Sequence, residues 1–246
     1  ADIEKKRELG TIINDLSDKL TDLIKCRENL LRIEKINAKL KNEAVDVTLP
    51  TRPQKIGKIH PISKVINEVK LIFGHMGFKA VDGPDIEDEF HVFDALNTPS
   101  YHPAREEKDT FYLKNKINNQ RMVLRTHTSS VQIRTMETAK SFPIRIIAPG
   151  RVYRNDFDAT HTPMFHQVEG LYVDKDVNMG QLKFTIHNFL NKFFGEKELK
   201  IRFRNSFFPF TEPSAEVDIS YKGSRWIEVL GCGMVHPNVF KSVRIN

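Results

Sequence analysis

Residues 144–172 read IRIIAPGRVYRNDFDATHTPMFHQVEGLY and gather the side chains best suited to chemistry. The β-branched run over 144–153 and the stretch 163–172 predict two antiparallel strands joined by the polar loop 155–162. Strand side chains alternate between faces, so Phe165, Gln167 and Glu169 share one face as an aromatic plate, an amide and a carboxylate. Arg154 ends the first strand beside a loop that carries Asp156, Asp158 and His161. A guanidinium, an acidic loop, a flat ring and two polar groups suit a nucleotide with a small ammonium-bearing substrate beside it. Each residue also has a plainer reading. Arg154 alone would be a surface ion pair, Phe165 a core residue, and the loop acids and histidine a solvated turn.

The elements around this hairpin are legible in outline. Residues 2–43 form one helix, with Leu9, Ile13, Leu16, Leu20 and Leu23 at steps of four and three, continued by Cys26, Leu30, Ile33, Ile36 and Leu40. Such a stripe seeks a partner helix. Residues 45–59, with Pro50 and Pro53, read as a linker. A helix follows over 60–73, with Pro61 near its start, then a strand over 78–81. Residues 87–97 look helical, 109–113 and 122–124 look like short strands, and 125–130 look like a polar turn before a helix over 131–140. A further helix falls within 175–194, and strands are expected at 201–204, 216–221 and 226–230. Helices interspersed among antiparallel strands predict an α+β fold.

The 246 residues suffice for one large domain plus an appendage. The apolar runs are too short for a membrane span, and two distant cysteines, Cys26 and Cys232, argue against a disulfide framework or zinc site. A reducing, cytoplasmic setting is expected. The net charge of +6 is compatible with an anionic partner such as RNA.

The hairpin wording GRVYRND and THTPMFHQVEG resembles the second signature motif of class II aminoacyl-tRNA synthetases, in the form found in α subunits of bacterial phenylalanyl-tRNA synthetases. GPDIEDEFHVFDALNTPSYHPARE, DTFYL, LRTHTSSVQIRTM, FRNSFFPFTEPSAEVD and WIEVLGCGMVHPNVF agree in the same order, so the resemblance runs from about residue 44 to 240. It implies a class II catalytic domain at 60–246, with an antiparallel sheet flanked by helices, a linker at 45–59, and an N-terminal coiled-coil helix at 1–44.

The resemblance also implies a reaction and its residues. L-Phenylalanine is activated by ATP to an adenylate and then passed to tRNA(Phe), with Mg²⁺ present, in an α₂β₂ assembly with a β subunit. Arg154 would meet the α-phosphate, Phe165 would stack on adenine, and Asp156, His161 and Gln132 would help hold ATP. Gln167, Glu169, His127 and Ser129 would line the amino-acid pocket, although Ser129 could instead cap the following helix. Phe208 and Phe210 would clasp the phenyl ring or else pack in the core, and Tyr112 would reach the polar end of the substrate. Glu212, Glu216 and Glu228 are candidates for Mg²⁺. Arg27, Arg32, Lys35, Lys39 and Lys41 would touch tRNA phosphates, or simply form a solvated face.

One limb of the family's N-terminal helical hairpin and the third class II motif are expected outside these 246 residues, which leaves this stretch alone expected to be inactive. Two other readings stay open: a related class II enzyme charging another amino acid, and a non-catalytic binding fragment.

Overall fold

The computed structural model describes residues 2–46, 48, 57–117, 119–159, 161–195, 199–220, 223 and 225–245. The chain divides into two units, Ala1–Lys58 and Ile59–Asn246. The first contains helix α1 (Asp2–Asn42), one residue shorter than its sequence implied. Strong helix formers and a single glycine, Gly10, carry it without a break. At 1.5 Å per residue it extends about 60 Å. Its stripe from Leu9 through Leu23 lies 52–66% exposed, uncovered within the unit. Most of the expected linker lies outside the described residues.

The second unit begins with α2 (Pro61–His75), whose start is set by Pro61 at the first helical position and by the His60 side chain accepting from the Ile62 amide. Strands β1 (Lys79–Ala80) and β2 (Ile86–Asp88) follow, then the single turn α3 (Glu89–Val92) and a 3-10 turn at Asp94–Leu96. β3 (Met122–Leu124), α4 (Ser129–Thr138), β4 (Ile144–Tyr153) and β5 (Met164–Val173) come next. The order closes with α5 (Met179–Phe194), β6 (Lys200–Phe208), β7 (Thr211–Ser220), β8 (Ile227–Val235) and α6 (Pro237–Ser242). α5 opens with a capping box between Asn178 and Gln181 and closes on Gly195 at φ 63°. No helix among the described residues is long and apolar enough to cross a membrane.

Among the described residues the strands form three small sheets: β1-β4-β5, β2-β3 and β6-β7-β8. Every pairing is antiparallel except β1 with β4. One core joins Ile144, Ile146 and Leu171 of the first sheet to Ile133 and Met136 of α4 and to Val239 and Val243. In another, α5 lays Ile186 and Leu190 against Val217 and Ile219, the inward face of β7. The opposite face of that sheet is therefore free to carry charge, because strand side chains alternate.

Four expectations need correction. The helix read over 87–97 begins as a strand: Glu87 sits in β2, fully buried, with both carboxylate oxygens taken by Arg134. Residues 109–113 make only an isolated bridge from Tyr112 to Val123. α4 starts at Ser129, two residues earlier than expected. Phe210 lies in the turn between β6 and β7 and not in an extended run with Phe208.

Candidate active site

β4 and β5 pair in unbroken register over ten positions, which sets Phe165, Gln167 and Glu169 opposite Val152, Gly150 and Ala148. Directly opposed residues share a sheet face, so the three side chains stand over a floor of small residues. Gly150 is required there because a Cβ would lie 2.2 Å from Arg125 Nη2. That guanidinium cannot swing away freely. Its Nε donates to the Arg151 carbonyl at 2.8 Å, its Nη1 donates to the Gly83 carbonyl at 3.1 Å, and its Nη2 pairs with Asp85 at 3.1 Å. Asp85 also accepts from the Tyr153 hydroxyl at 3.0 Å, so Arg125 ties the segment before α4 to β4. Gly150→Ala should therefore lower the thermal unfolding midpoint by an amount equivalent to about 2 kcal/mol, the usual scale for overfilling a packed site.

Glu169 reaches across to the start of α4. Its carboxylate accepts from the Thr128 amide at 3.0 Å, the Ser129 hydroxyl at 2.5 Å and the Gln132 amide at 2.7 Å. Thr128 occupies the cap position yet makes no side-chain cap of its own. A carboxylate from a neighbouring strand thus caps the helix and faces its positive end. Glu169 is thus already satisfied from one side. Ser129 sits at the helix start, but its hydroxyl serves Glu169 instead of the helix backbone.

Unmet acceptors lie in the same cluster. His127 Nδ1 and Gln167 Oε1 are buried without a partner, as are the hydroxyls of Thr128 and Ser130. Burial pushes the His127 pKa down, only partly opposed by the Glu169 charge, so the ring is neutral near pH 7. Buried acceptors without donors cost stability, which gives this cluster a capacity for a ligand rich in N–H groups.

Arg154 lies at the outer end of the same face. Its Nε donates to the Thr126 carbonyl at 3.3 Å, and its guanidinium stands 5.1 Å from the Phe165 ring centroid. No carboxylate pairs with it among the described residues. In the loop, Asp156, Asp158 and His161 bring their ligand atoms within 4.8 Å of one another, all exposed. His161 is raised in pKa by its hydrogen bond to Asp158 at 2.8 Å, then by the charges of Asp158 and Asp156.

The third sheet supplies aromatic and acidic groups. Phe208 and Phe210 stack at 5.8 Å with an interplanar angle of 13°, and Phe210 lies 6.5 Å from the His127 ring. A Cβ on Gly231 would come within 2.7 Å of Phe208 Cζ, so the ring rests on bare β8 backbone. Tyr112 already has partners: its hydroxyl donates to the Arg105 carbonyl at 2.8 Å, and Arg121 covers its ring at 3.6 Å.

The three glutamates expected at a metal do not converge. Glu216 and Glu228 both pair with Arg204, at 2.8 and 3.0 Å, whereas Glu212 faces His236 at 3.4 Å. Arg204 also grips Asp218, which it and Arg202 hold at a pKa of about 2. An arginine thus already occupies the space between two of the candidate carboxylates, and these residues as arranged do not fit a common divalent ion.

The sequence profile described as "tRNA synthetases class II core domain (F)" matches residues 44–246. The chain is 81% identical over 245 residues to the phenylalanine-tRNA ligase alpha subunit of Wolbachia sp. subsp. Drosophila simulans (strain wRi), covering 100% of this chain and 71% of that protein. It is 62% identical to the protein of the same name from Ehrlichia ruminantium (strain Gardel), covering 99% of this chain and 71% of that one. This chain belongs to the phenylalanine-tRNA ligase alpha subunits of the class II synthetases.

Its fold is similar to that of pyrrolysyl-tRNA synthetase from Desulfitobacterium hafniense, with a TM-score of 0.58 at 17% identity, over 76% of this chain and 63% of that one. The hairpin, α4 and the third sheet carry most of the candidate residues described above. Sequence reasoning missed two parts of the candidate site, the Arg125 brace and the Arg204 network. The alternating RFR in residues 202–204 was the available sign that one strand face carries paired cations. Arg125 had no sign, because its partners come from distant segments.

Proposed function

We propose that this chain, as the α subunit of a phenylalanine-tRNA ligase, binds ATP on the β4–β5 face and L-phenylalanine in the Glu169 cluster. The observation that carries the reading is Glu169 anchored at the start of α4, with Gln167 on the same strand face, His127 within reach of its charge, Gln167 Oε1 and His127 Nδ1 buried without a partner, and the stacked Phe208 and Phe210 beside His127. An ammonium offers three donors to those acceptors. A phenyl ring gains about 0.5–1.5 kcal/mol per aromatic pair beyond its burial.

In this reading a phenylalanine carboxylate oxygen attacks the α-phosphorus of ATP, and the bond to the bridging oxygen breaks to release pyrophosphate. The adenylate then passes its acyl group to a hydroxyl of the terminal tRNA adenosine, releasing AMP. Positioning and charge stabilisation carry such transfers more than covalent help. Arg154, without a carboxylate partner among the described residues, stabilises the charge on the α-phosphate, and Phe165 offers adenine a flat support. Asp156 and His161 border the phosphates or ribose, and Gln132 steadies Glu169. Mg²⁺ enters as the counter-ion of ATP and is assigned to no side chain here. The chain acts with a β subunit as an α₂β₂ complex in the cytoplasm. ATP–pyrophosphate exchange by that complex across a panel of amino acids tests the substrate assignment. Phenylalanine should stand alone by a wide margin, and an equal rate with a non-aromatic amino acid would overturn it.

We further propose that α1 is an arm for tRNA. Arg32, Lys35 and Lys39 recur at steps of three and four and lie exposed, with Lys39 only loosely paired to Glu43 at 3.8 Å. Arg27 and Lys41 add charge to the same half. Reversing Arg32, Lys35 and Lys39 to glutamate should raise KM for tRNA, most steeply at low salt, because phosphate contacts release counterions. Pyrophosphate exchange should not change. Equal tRNA KM values at low salt would remove α1 from tRNA binding.

A further inference from the structure

Asn97 is a residue that the reaction above does not use, yet two distant segments meet on it. It follows the 3-10 turn at Asp94–Leu96 in the left-handed region, φ 55° and ψ 23°, where asparagine is among the few tolerated side chains. Its Nδ2 donates to the Pro209 carbonyl at 2.7 Å, and its Oδ1 accepts from Asn238 Nδ2 at 3.0 Å. The amide orientation is fixed by chemistry: a proline carbonyl only accepts, so the nitrogen must face Pro209.

Pro209 is the middle of the turn that presents Phe208 and Phe210. The only other polar hold on that turn among the described residues, apart from the β6–β7 ladder and the Phe208 amide to Ser214, is the His236 amide donating to the Phe210 carbonyl at 2.9 Å. His236 caps α6, which bears Asn238. Phe210 also packs against the cluster containing Ala95 and Leu96, immediately before Asn97. The two rings are therefore held from one side by a relay from α6 through Asn97 to the turn.

We infer that Asn97, oriented by Asn238, is a positioning residue that sets the placement of the Phe208–Phe210 pair against His127 and so tunes selectivity for an aromatic side chain. The inference rests on the proposed role of these rings as the phenyl clamp. Asn97→Asp keeps the size and the acceptor for Asn238 but replaces the donor to Pro209 by a carboxylate oxygen facing a carbonyl. Asn97→Gly removes both bonds while suiting the left-handed backbone.

In the α₂β₂ complex, Asn97→Asp should raise KM for phenylalanine roughly tenfold, the scale of losing one hydrogen bond. KM for ATP should stay within about twofold, and the preference for phenylalanine over leucine should fall by roughly tenfold. Asn97→Gly and Asn238→Ala should shift the same quantities in the same direction by smaller amounts. Should Asn97→Asp not fold, Asn97→Gly and Asn238→Ala carry the test. Unchanged phenylalanine KM and unchanged phenylalanine-over-leucine preference in the folded variants would overturn the inference. So would a parallel loss of affinity for both ATP and phenylalanine with a lowered melting point, the mark of a structural role only. Phe210→Ala, measured beside them, separates the two ideas. If it leaves phenylalanine KM unchanged the clamp itself fails, and if it alone raises that KM the clamp stands and the relay fails.

Discussion

Arg154→Ala is expected to slow phenylalanine-dependent ATP–pyrophosphate exchange by about 10²–10³-fold, the range seen when one preorganised contact to developing charge is removed. KM for phenylalanine should change little, because the guanidinium lies at the Phe165 end of the face and not among the groups around Glu169. Its guanidinium meets a backbone carbonyl at 3.3 Å and a ring at 5.1 Å, and no carboxylate pairs with it among the described residues, which suits it to an anion. Arg154→Lys should recover only part of the rate, since an ammonium lacks the planar fork that meets two phosphate oxygens at once. The measurement is exchange under saturating phenylalanine and varied ATP in the complete α₂β₂ complex. Activity within threefold of the parent would take Arg154 out of the chemistry.

What the sequence makes legible here follows the range of the forces involved. β4 and β5 could be placed to within a residue, because β-branched runs and a polar loop are local signals and period-two alternation puts Phe165, Gln167 and Glu169 on one face. The start of α4 was misplaced for the opposite reason. Its cap is Glu169, forty-one residues from the Thr128 amide that it accepts from, and no local pattern announces such a partner. The helix expected over 87–97 takes in Glu87 and Asp88, which are strand, and the burial of Glu87 depends on Arg134, forty-seven residues away. The site residues divide in the same way. Spacing alone could propose a shared face, the resemblance supplied roles, and only three-dimensional placement bonded the Tyr112 hydroxyl to the Arg105 carbonyl and set Arg204 between Glu216 and Glu228.

Glu169→Gln should have the larger effect on the amino acid. The carboxylate holds two positions at once: it accepts three hydrogen bonds from the start of α4, and it borders the unpartnered acceptors of Gln167 and His127. The amide keeps the volume but loses the charge and presents an NH₂ group, with two donors, where acceptors were needed, so the N–H groups of Thr128, Gln132 and the substrate ammonium cannot all be met. Truncating one side of a buried, hydrogen-bonded charge pair typically costs about 2–5 kcal/mol, so KM for phenylalanine should rise by roughly a hundredfold or more. Loss of the anion at the helix N-terminus should also lower stability by about 1 kcal/mol. The two consequences separate with 3-phenylpropanoate, which has the ring and the carboxylate of phenylalanine but no ammonium. The parent complex should bind phenylalanine far more tightly than this analogue, and in Glu169→Gln that ratio should collapse towards one. A variant that melts earlier yet keeps the full ratio would leave Glu169 as a helix cap alone, and the ammonium would then have to be met by Gln167 and His127 without it.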